Sequence, residues 1–181
     1  MPGKTAVITG ATSGIGAAFA EALARQGFDL FLTGRRRERI EEVAQYLRER
    51  HEVSVQVSIV ELSDIRQVDR LIEELAAIPV ISYLINNAGF GQGGSFAQDP
   101  EAGYRMLMVH VVSAVRLTGA VASRMAEAGE GAIIHVASVA AFFPMPGNYS
   151  ATKRYLVAFS ESLHTELSSR GVRIQALCPG M

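Results

Sequence analysis

The sequence predicts an α/β fold in which helices cover both faces of one parallel β-sheet. Short apolar runs rich in β-branched residues alternate with longer amphipathic stretches along the 181 residues, a pattern typical of repeated β-α-β units. Most short runs carry consecutive apolar residues, as Leu30–Leu32 does, which indicates strands buried on both faces. The length suits one compact domain rather than two.

Six strands and five helices follow from this alternation. The predicted strands span Thr5–Thr9, Phe28–Thr33, Val53–Val60, Ser82–Asn86, Gly131–Ala137 and Val172–Leu177. The predicted helices span Gly14–Gln26, Arg36–Arg50, Asp64–Ala77, Pro100–Glu127 and Asn148–Ser169. Gly27 is a C-terminal stop for the first helix, and Asp64 and Asp99 are N-terminal caps for the third and fourth. The apolar face predicted for the first helix consists of Ile15, Phe19, Ala22 and Leu23.

Composition excludes several classes of protein and site. Seventeen Lys and Arg against eighteen Asp and Glu give no overall attraction for nucleic acid. The single cysteine, Cys178, rules out an intramolecular disulfide and a cysteine metal cluster, and His51, His135 and His164 lack the spacing of metal ligands. No signal peptide precedes the first strand, and no stretch reaches the roughly 18 apolar residues of a membrane span. We therefore expect a cytoplasmic protein without metal, nucleic acid or membrane.

The first strand runs into a glycine-rich turn, Thr9–Gly16, that opens the first helix. Gly10 permits a tight turn, Gly14 lets the backbone approach a pyrophosphate, and Gly16 allows the helix to pack closely on the sheet. Free amides at the helix N-terminus favour phosphate. The residues predicted to contact a dinucleotide here are Gly10, Thr12, Ser13, Gly14, Ile15 and Gly16. The alternative is a turn that is glycine-rich only because it is tight.

The end of the second strand indicates which dinucleotide binds. An acid there accepts from a free ribose 2′-hydroxyl and repels a 2′-phosphate, but this sequence has Gly34 followed by three arginines. Arg35, the first of them, is best placed to bind a phosphate, which favours NADP(H) over NAD(H). The alternative is a solvated helix start, which suits Arg36 and Arg37 better than Arg35.

A tyrosine, a lysine and a serine provide candidate catalytic groups. Tyr149 and Lys153 are four residues apart, so they lie on one face of the fifth helix. A phenol with an ordinary pKa of about 10 is a poor base at neutral pH, and an adjacent ammonium favours the phenolate. Ser138 follows the fifth strand and could donate to a carbonyl oxygen that becomes an alkoxide. The alternative is that the pair has no chemical role and is only a buried tyrosine beside a lysine whose charged end reaches solvent.

The chain resembles the short-chain dehydrogenase/reductase family in five motifs along its length. In chain order they are Thr9–Gly16, Asn86–Gly89, Ser138, Tyr149 with Lys153, and Pro179–Gly180. The resemblance implies a Rossmann-like doubly wound sheet with strand order 3-2-1-4-5-6. It also implies one dinucleotide-binding domain over residues 1–181, with the seventh strand missing and the substrate-binding end truncated.

The resemblance assigns roles to individual residues. Tyr149 is the general acid/base, Ser138 stabilises the substrate oxygen, and Lys153 promotes the phenolate and binds the nicotinamide ribose. The Glu61 carboxylate would meet the adenine amine. The other implied cofactor contacts are Leu62, Asn87, Ala88, Gly89, Tyr149, Pro179 and Gly180.

Two departures from the family pattern affect these roles. Where the family has an asparagine in the fourth helix that supports a proton relay, this sequence has His110. His110 could hold the relay water or titrate itself, or it could be a packed helix residue without chemical role. The interval from Ser138 to Tyr149 is shorter than usual, which would shift the substrate pocket.

The function expected is NADP(H)-dependent interconversion of a secondary alcohol and a ketone, with a small-molecule substrate of unspecified identity. The alternatives are a catalytically weak nucleotide-binding regulator of the same fold and, less consistent with Tyr149 and Lys153, an adenosylmethionine-dependent methyltransferase. The resemblance also implies a homodimer or homotetramer through the fourth and fifth helices. Its apolar contacts would include Met106, Val109, Val112, Leu156, Phe159 and Leu163.

Overall fold

The computed structural model describes residues 3–91 and 96–180. The strands are β1 Thr5–Thr9, β2 Asp29–Gly34, β3 Val55–Ile59, β4 Ile81–Asn86, β5 Gly131–Val136 and β6 Val172–Leu177. The helices are α1 Gly14–Arg25, α2 Arg37–His51, α3 Ile65–Ala76, α4 Pro100–Leu107, α5 Ser113–Ala128 and α6 Tyr149–Leu167. The glycine-rich segment 89–95, which the sequence predicts as a flexible loop, lies partly outside the described residues.

All six strands are parallel and lie in the order β3-β2-β1-β4-β5-β6, which confirms the predicted topology. The chain leaves one edge after β3 and resumes beside β1 with β4. Strand order therefore reverses between β1 and β4, and in open α/β sheets ligands bind at the carboxyl ends of the strands at such a point.

Consecutive apolar residues of each central strand serve two separate cores. Val7 of β1 faces the layer formed by α3, α5 and α6, whereas the next residue, Ile8, faces α1 and α2, and both are fully buried. This explains the uninterrupted apolar runs. The prediction that Ile15 lies on the buried face of α1 is wrong, because its side chain is exposed beside the turn. The buried residues of α1 are Gly16, Ala20, Leu23 and Ala24.

The predicted helix signals are confirmed. The carboxylate of Asp64 accepts from the Arg66 amide at 3.0 Å, and that of Asp99 accepts from the Ala102 amide at 2.9 Å. Gly27 follows α1 with a φ of +80°, a left-handed conformation that ends a helix. These contacts are local, so the sequence reveals them directly.

The predicted fourth helix is continuous but contains a turn of π-helix, Met108–Val112, between α4 and α5. The Ser113 amide donates to the Met108 carbonyl, five residues earlier. Such a turn inserts one extra residue and often marks a functional site. His110 lies in it.

Pro100–Ala128 is also, by length and composition, the one helix among the described residues that could cross a membrane. Polar residues interrupt this segment, so it holds no unbroken run of about 18 apolar residues and qualifies only by its average hydropathy. Half of the apolar 18-residue segment within this helix is buried inside the protein, as in the core helix of a globular domain.

Candidate active site

The glycine turn between β1 and α1 is built against the loop that follows β4. Gly10 has a φ of +67°, and a Cβ there would lie 2.8 Å from the Ala88 Cα. A Cβ on Gly16 would lie 2.4 Å from both the Gly10 carbonyl oxygen and the Asn87 amide nitrogen. Gly14 has open space around it but a φ of +56°, so glycine is favoured there by backbone conformation.

Hydrogen bonds join the same two segments. The Asn87 side-chain amide donates to the carbonyls of Thr9 and Gly10, each at 2.9 Å. The Thr9 hydroxyl in turn accepts from the backbone amides of Asn87 and Ala88, each at 3.0 Å. The structure thus brings together two motifs that are almost 80 residues apart in the chain.

A cleft of about 290 Å³ lies at the carboxyl ends of β1, β2 and β4. Its lining residues include Gly10, Thr12, Ser13, Gly34, Arg35, Arg36, Glu61, Leu62, Asn87, Ala88 and Gly89. No side chain caps the amides at the start of α1, and the fully buried Thr33 hydroxyl in the cleft has no hydrogen-bond partner among the described residues. Uncapped amides, nearby cations and an unpaired hydroxyl fit a dinucleotide with phosphate groups.

The arginines after β2 are placed differently from one another. Arg36 donates to the Thr12 hydroxyl at 2.8 Å, so its guanidinium lies over the glycine turn. Arg35 is 69% exposed and pairs with the Glu61 carboxylate at 3.5 Å. A Cβ at Gly34 would lie 3.0 Å from the Thr12 methyl group. The sequence pointed to Arg35 as the phosphate ligand, but Arg36 is the arginine held against the turn.

Glu61, predicted to meet adenine, lies in the same cleft. Partial burial raises the pKa of its carboxyl, but the Ser63 amide and hydroxyl donate to it and Arg35 lies beside it. Together they hold this pKa below its usual value, so the group is ionised and already paired. Leu62 is buried in the core below it.

Tyr149 and Lys153 occupy the first two turns of α6, on one face as predicted. The Lys153 ammonium lies 5.6 Å from the centre of the Tyr149 ring and donates to the Val136 carbonyl at 2.8 Å. Only 4% of Lys153 is exposed, and burial lowers the pKa of its ammonium to about 8. Two of its three N–H groups remain for a ligand and for Tyr149.

Ser138 lies at the end of β5 and caps a short 3₁₀ helix, Val139–Phe142, that the sequence did not reveal. Its hydroxyl oxygen accepts from the Ala140 amide at 3.1 Å, so the hydroxyl hydrogen is left to donate elsewhere. The next amide, that of Val139, donates to the Pro179 carbonyl at 3.0 Å. Pro179 therefore lies beside the segment that begins with Ser138.

His110 is buried between the loop after β4 and the first turn of α6. Its Nε2 accepts from the Phe90 amide at 3.0 Å, and its Nδ1 lies 2.9 Å from the Thr152 hydroxyl. Its ring packs edge-on against the rings of Phe90 and Tyr149. Burial, reinforced by the charge of Lys153, lowers the pKa of His110 to about 3, so it is neutral near pH 7.

A second buried histidine belongs to a polar chain away from the cleft. His135 bonds the Thr118 hydroxyl at 3.1 Å and the Ser160 hydroxyl at 2.9 Å, and Thr118 accepts from Asn86. Burial lowers the pKa of His135 to about 4. In residues 3–91 and 96–180, no three His, Cys, Asp or Glu side chains are grouped so that they could hold a metal ion.

The short chain dehydrogenase family model matches residues 4–181. The chain belongs to the short-chain dehydrogenase family. Among curated relatives, sulfoacetaldehyde reductase 2 of Chromohalobacter salexigens is 38% identical over 181 residues, which cover 97% of this chain and 71% of that protein.

Two solved structures are closely similar, each with a TM-score of 0.94 and 37% identity. One is the bulky-bulky ketone specific alcohol dehydrogenase from Comamonas testosteroni, covering 97% of this chain and 72% of that one. The other is a short-chain dehydrogenase from Sphingobium yanoikuyae in complex with NADPH, covering 98% and 70%. The seventh strand and the substrate-covering segment expected from the resemblance stay predictions.

Gly89 shows how compactly this short-chain dehydrogenase assembles its candidate groups. A Cβ there would lie 2.9 Å from Nε2 of His110 and 3.5 Å from the Lys153 ammonium. Motifs from β4, the π turn and α6 therefore meet at one glycine. The sequence did not single out two contacts that the structure shows, that of Thr152 with His110 and that of Arg36 with Thr12. Only the threonine had a local signal, as part of the Tyr149–Lys153 motif.

Proposed function

We propose that this short-chain dehydrogenase is an NADP(H)-dependent oxidoreductase acting on CH–OH groups, interconverting a secondary alcohol and a ketone. The observation that carries the proposal is the pairing of Tyr149 with the buried Lys153 ammonium, which reaches Gly89 at the edge of the cleft. A nucleotide cleft alone would serve binding proteins equally well. A tyrosine beside a buried cation is suited to proton transfer.

The cofactor contacts proposed are the amides of the glycine turn for the phosphates, Glu61 for adenine, and Lys153 for the nicotinamide ribose. When bound, the nicotinamide supplies or accepts the hydride. Pro179 and Gly180 would flank it, since the Pro179 carbonyl accepts from the Val139 amide next to Ser138.

The protein's own side chains handle the proton and the substrate oxygen. Ser138 can donate to the carbonyl oxygen, since its own oxygen already accepts from Ala140. Tyr149 gives its phenolic proton to that oxygen during reduction and accepts it during oxidation. The positive charge of Lys153 stabilises the phenolate that results.

The preference for NADP(H) is part of the proposal. Arg35 and Arg36 both line the cleft, and no acidic residue stands at Gly34, where it would repel a 2′-phosphate. The similar Sphingobium yanoikuyae structure holds NADPH. The glycine is also crowded by Thr12, so a side chain at position 34 would require a local rearrangement.

A nucleotide-binding regulator with weak or no turnover is the second candidate. It is favoured by His110, which stands where the family has its relay asparagine and whose two ring nitrogens are both occupied by protein groups. Such a protein would bind NADPH without oxidising it.

One titration and one assay separate the two candidates. NADPH fluorescence should report binding, and a panel of ketones and aldehydes, bulky ketones included, should oxidise the bound NADPH. Tyr149→Phe, which loses only the hydroxyl, should bind NADPH with unchanged affinity but lose turnover at least about a hundredfold. Binding without oxidation by any carbonyl compound would favour the regulator.

We further propose a cytoplasmic homo-oligomer that contacts its partner through α4, α5 and α6. Tyr104 and Leu107 on α4 and Tyr155 on α6 are exposed, which supports this. Met106, Val109 and Leu156 are already buried within the chain and are not available. Sedimentation of Tyr155→Glu should show a smaller species than the unsubstituted protein.

A further inference from the structure

The hydrogen bonds around His110 determine its tautomer. A backbone amide can only donate, so Nε2, which bonds the Phe90 amide, carries no hydrogen. The neutral ring must then carry its hydrogen on Nδ1 and donate it to the Thr152 hydroxyl. That hydroxyl is left to donate to the Tyr149 carbonyl, 2.8 Å away. Each group therefore donates to the next one, from the Phe90 amide through His110 and Thr152 to the Tyr149 carbonyl.

We propose that His110 and Thr152 form a hydrogen-bonded staple between the loop after β4, residues 87–91, and the first turn of α6, which carries Tyr149. In this staple Thr152 is a positioning residue. The staple is the chain Phe90 amide, His110 ring, Thr152 hydroxyl and Tyr149 carbonyl. This proposal rests on the proposed function, because it assigns the staple the task of aligning Tyr149 with a bound cofactor.

Position and burial both support the staple. Phe90 follows Gly89 and lines the cleft, whereas Thr152 lies between Tyr149 and Lys153 on α6. Thr152 is 2% exposed and His110 1% exposed, so water does not compete for these bonds. The π turn places the ring between the two segments, where it also packs on the rings of Phe90 and Tyr149.

The same geometry argues against His110 as a proton carrier. Both ring nitrogens are occupied by protein groups, so neither is left to hold a relay water. Protonation of Nε2 would break its bond to the Phe90 amide, and the low pKa of His110, about 3, disfavours that step near neutral pH.

Substitution of Thr152 tests the staple through kinetics. Thr152→Val keeps the shape but removes the hydroxyl, leaving Nδ1 of His110 unpaired, and we expect kcat to fall about tenfold and KM for NADPH to rise. Thr152→Ser keeps the hydroxyl and should restore both constants. The matched control is Thr165→Val, which removes a similar bond to the Glu161 carbonyl on the exposed part of α6 and should change neither constant. Unchanged kinetics in a folded Thr152→Val would overturn the proposal.

Nuclear magnetic resonance provides a readout that does not depend on turnover. In the unsubstituted protein the His110 nitrogens should show hydrogen on Nδ1 and none on Nε2, and the Phe90 amide should exchange slowly. Thr152→Val should speed that exchange about tenfold, and Thr152→Ser should leave it slow. Hydrogen on Nε2 would refute the staple even if the enzyme reduces ketones. If the protein neither binds NADPH nor reduces a ketone, the proposed function is wrong. The measured tautomer of His110 would still show whether the staple exists.

Discussion

The guanidinium of Arg36 donates to the hydroxyl of Thr12 at 2.8 Å, linking the start of α2 to the glycine turn after β1. The bond holds a cation just after β2, the strand end at which a ribose 2′-phosphate would lie on the function proposed above. Neighbouring Arg35 turns instead to Glu61. Two adjacent arginines thus have different partners, and this difference can be tested.

Arg36→Ala should raise KM for NADPH about tenfold or more while changing KM for NADH little, because a charge-assisted bond to the 2′-phosphate is lost. Arg35→Ala should have a smaller effect. Arg37→Ala serves as the charge-matched control, since Arg37 does not line the cleft. If only Arg35→Ala weakened NADPH binding selectively, Arg35 would be the phosphate ligand, as the sequence predicted, and Arg36 would not.

The buried Lys153 should make the free energy of unfolding vary with pH in the alkaline range. Its pKa is about 8 in the folded chain and about 10.5 unfolded, so between these values the unfolded state binds more protons and stability rises with pH. The gain is on the order of 3 kcal/mol. Urea unfolding from pH 8 to 10 should show this rise in the unsubstituted protein and a flatter curve for Lys153→Met. Equal slopes would contradict the assignment.

His135 should make the free energy of unfolding vary with pH in the acid range. Its pKa is about 4 folded and about 6.5 unfolded, so its contribution is complete above pH 6.5 and is lost as pH falls through 4. The loss is on the order of 3 kcal/mol. His135→Gln should be less stable at pH 7 but have a flatter acid profile. His164→Gln, at an exposed position, should follow the unsubstituted curve, and a flattened profile there would point to a general effect of charge.

Gly16→Ala should weaken both folding and NADPH binding. Its Cβ would lie 2.4 Å from the Gly10 carbonyl oxygen, and such crowding costs about 1–3 kcal/mol. Gly119→Ala is the control, because nothing lies within 4 Å of the added Cβ in α5 and the change should stabilise the helix by up to about 1 kcal/mol. Thermal unfolding and NADPH titration measure both effects. An unchanged Gly16→Ala would mean that the turn and Asn87 can separate without cost.

The parts of the candidate site that the sequence revealed are those with a short spacing. Tyr149 and Lys153 needed only the helical period, and Gly10 and Gly16 needed only a strand followed by a helix. The expectation for Ile15 failed because helical spacing places a residue on a face but does not show which neighbour covers it. The helix Pro100–Ala128 is apolar enough on average to cross a membrane, and only the structure shows that half of its apolar segment is buried inside the protein.

By itself, the sequence determined the alternation of strands and helices, the caps at Asp64 and Asp99, and the glycine turn, since these depend on neighbours a few residues away. The tertiary structure alone decided that Arg36 reaches Thr12 across 24 residues and that His110 joins Phe90 to Thr152 across 20 and 42. These partners meet only after β1, β2 and β4 pair side by side and α6 packs on the sheet. Hydrogen-bond partners of a buried side chain are selected by that packing, because any alternative would leave a polar group unpaired away from water.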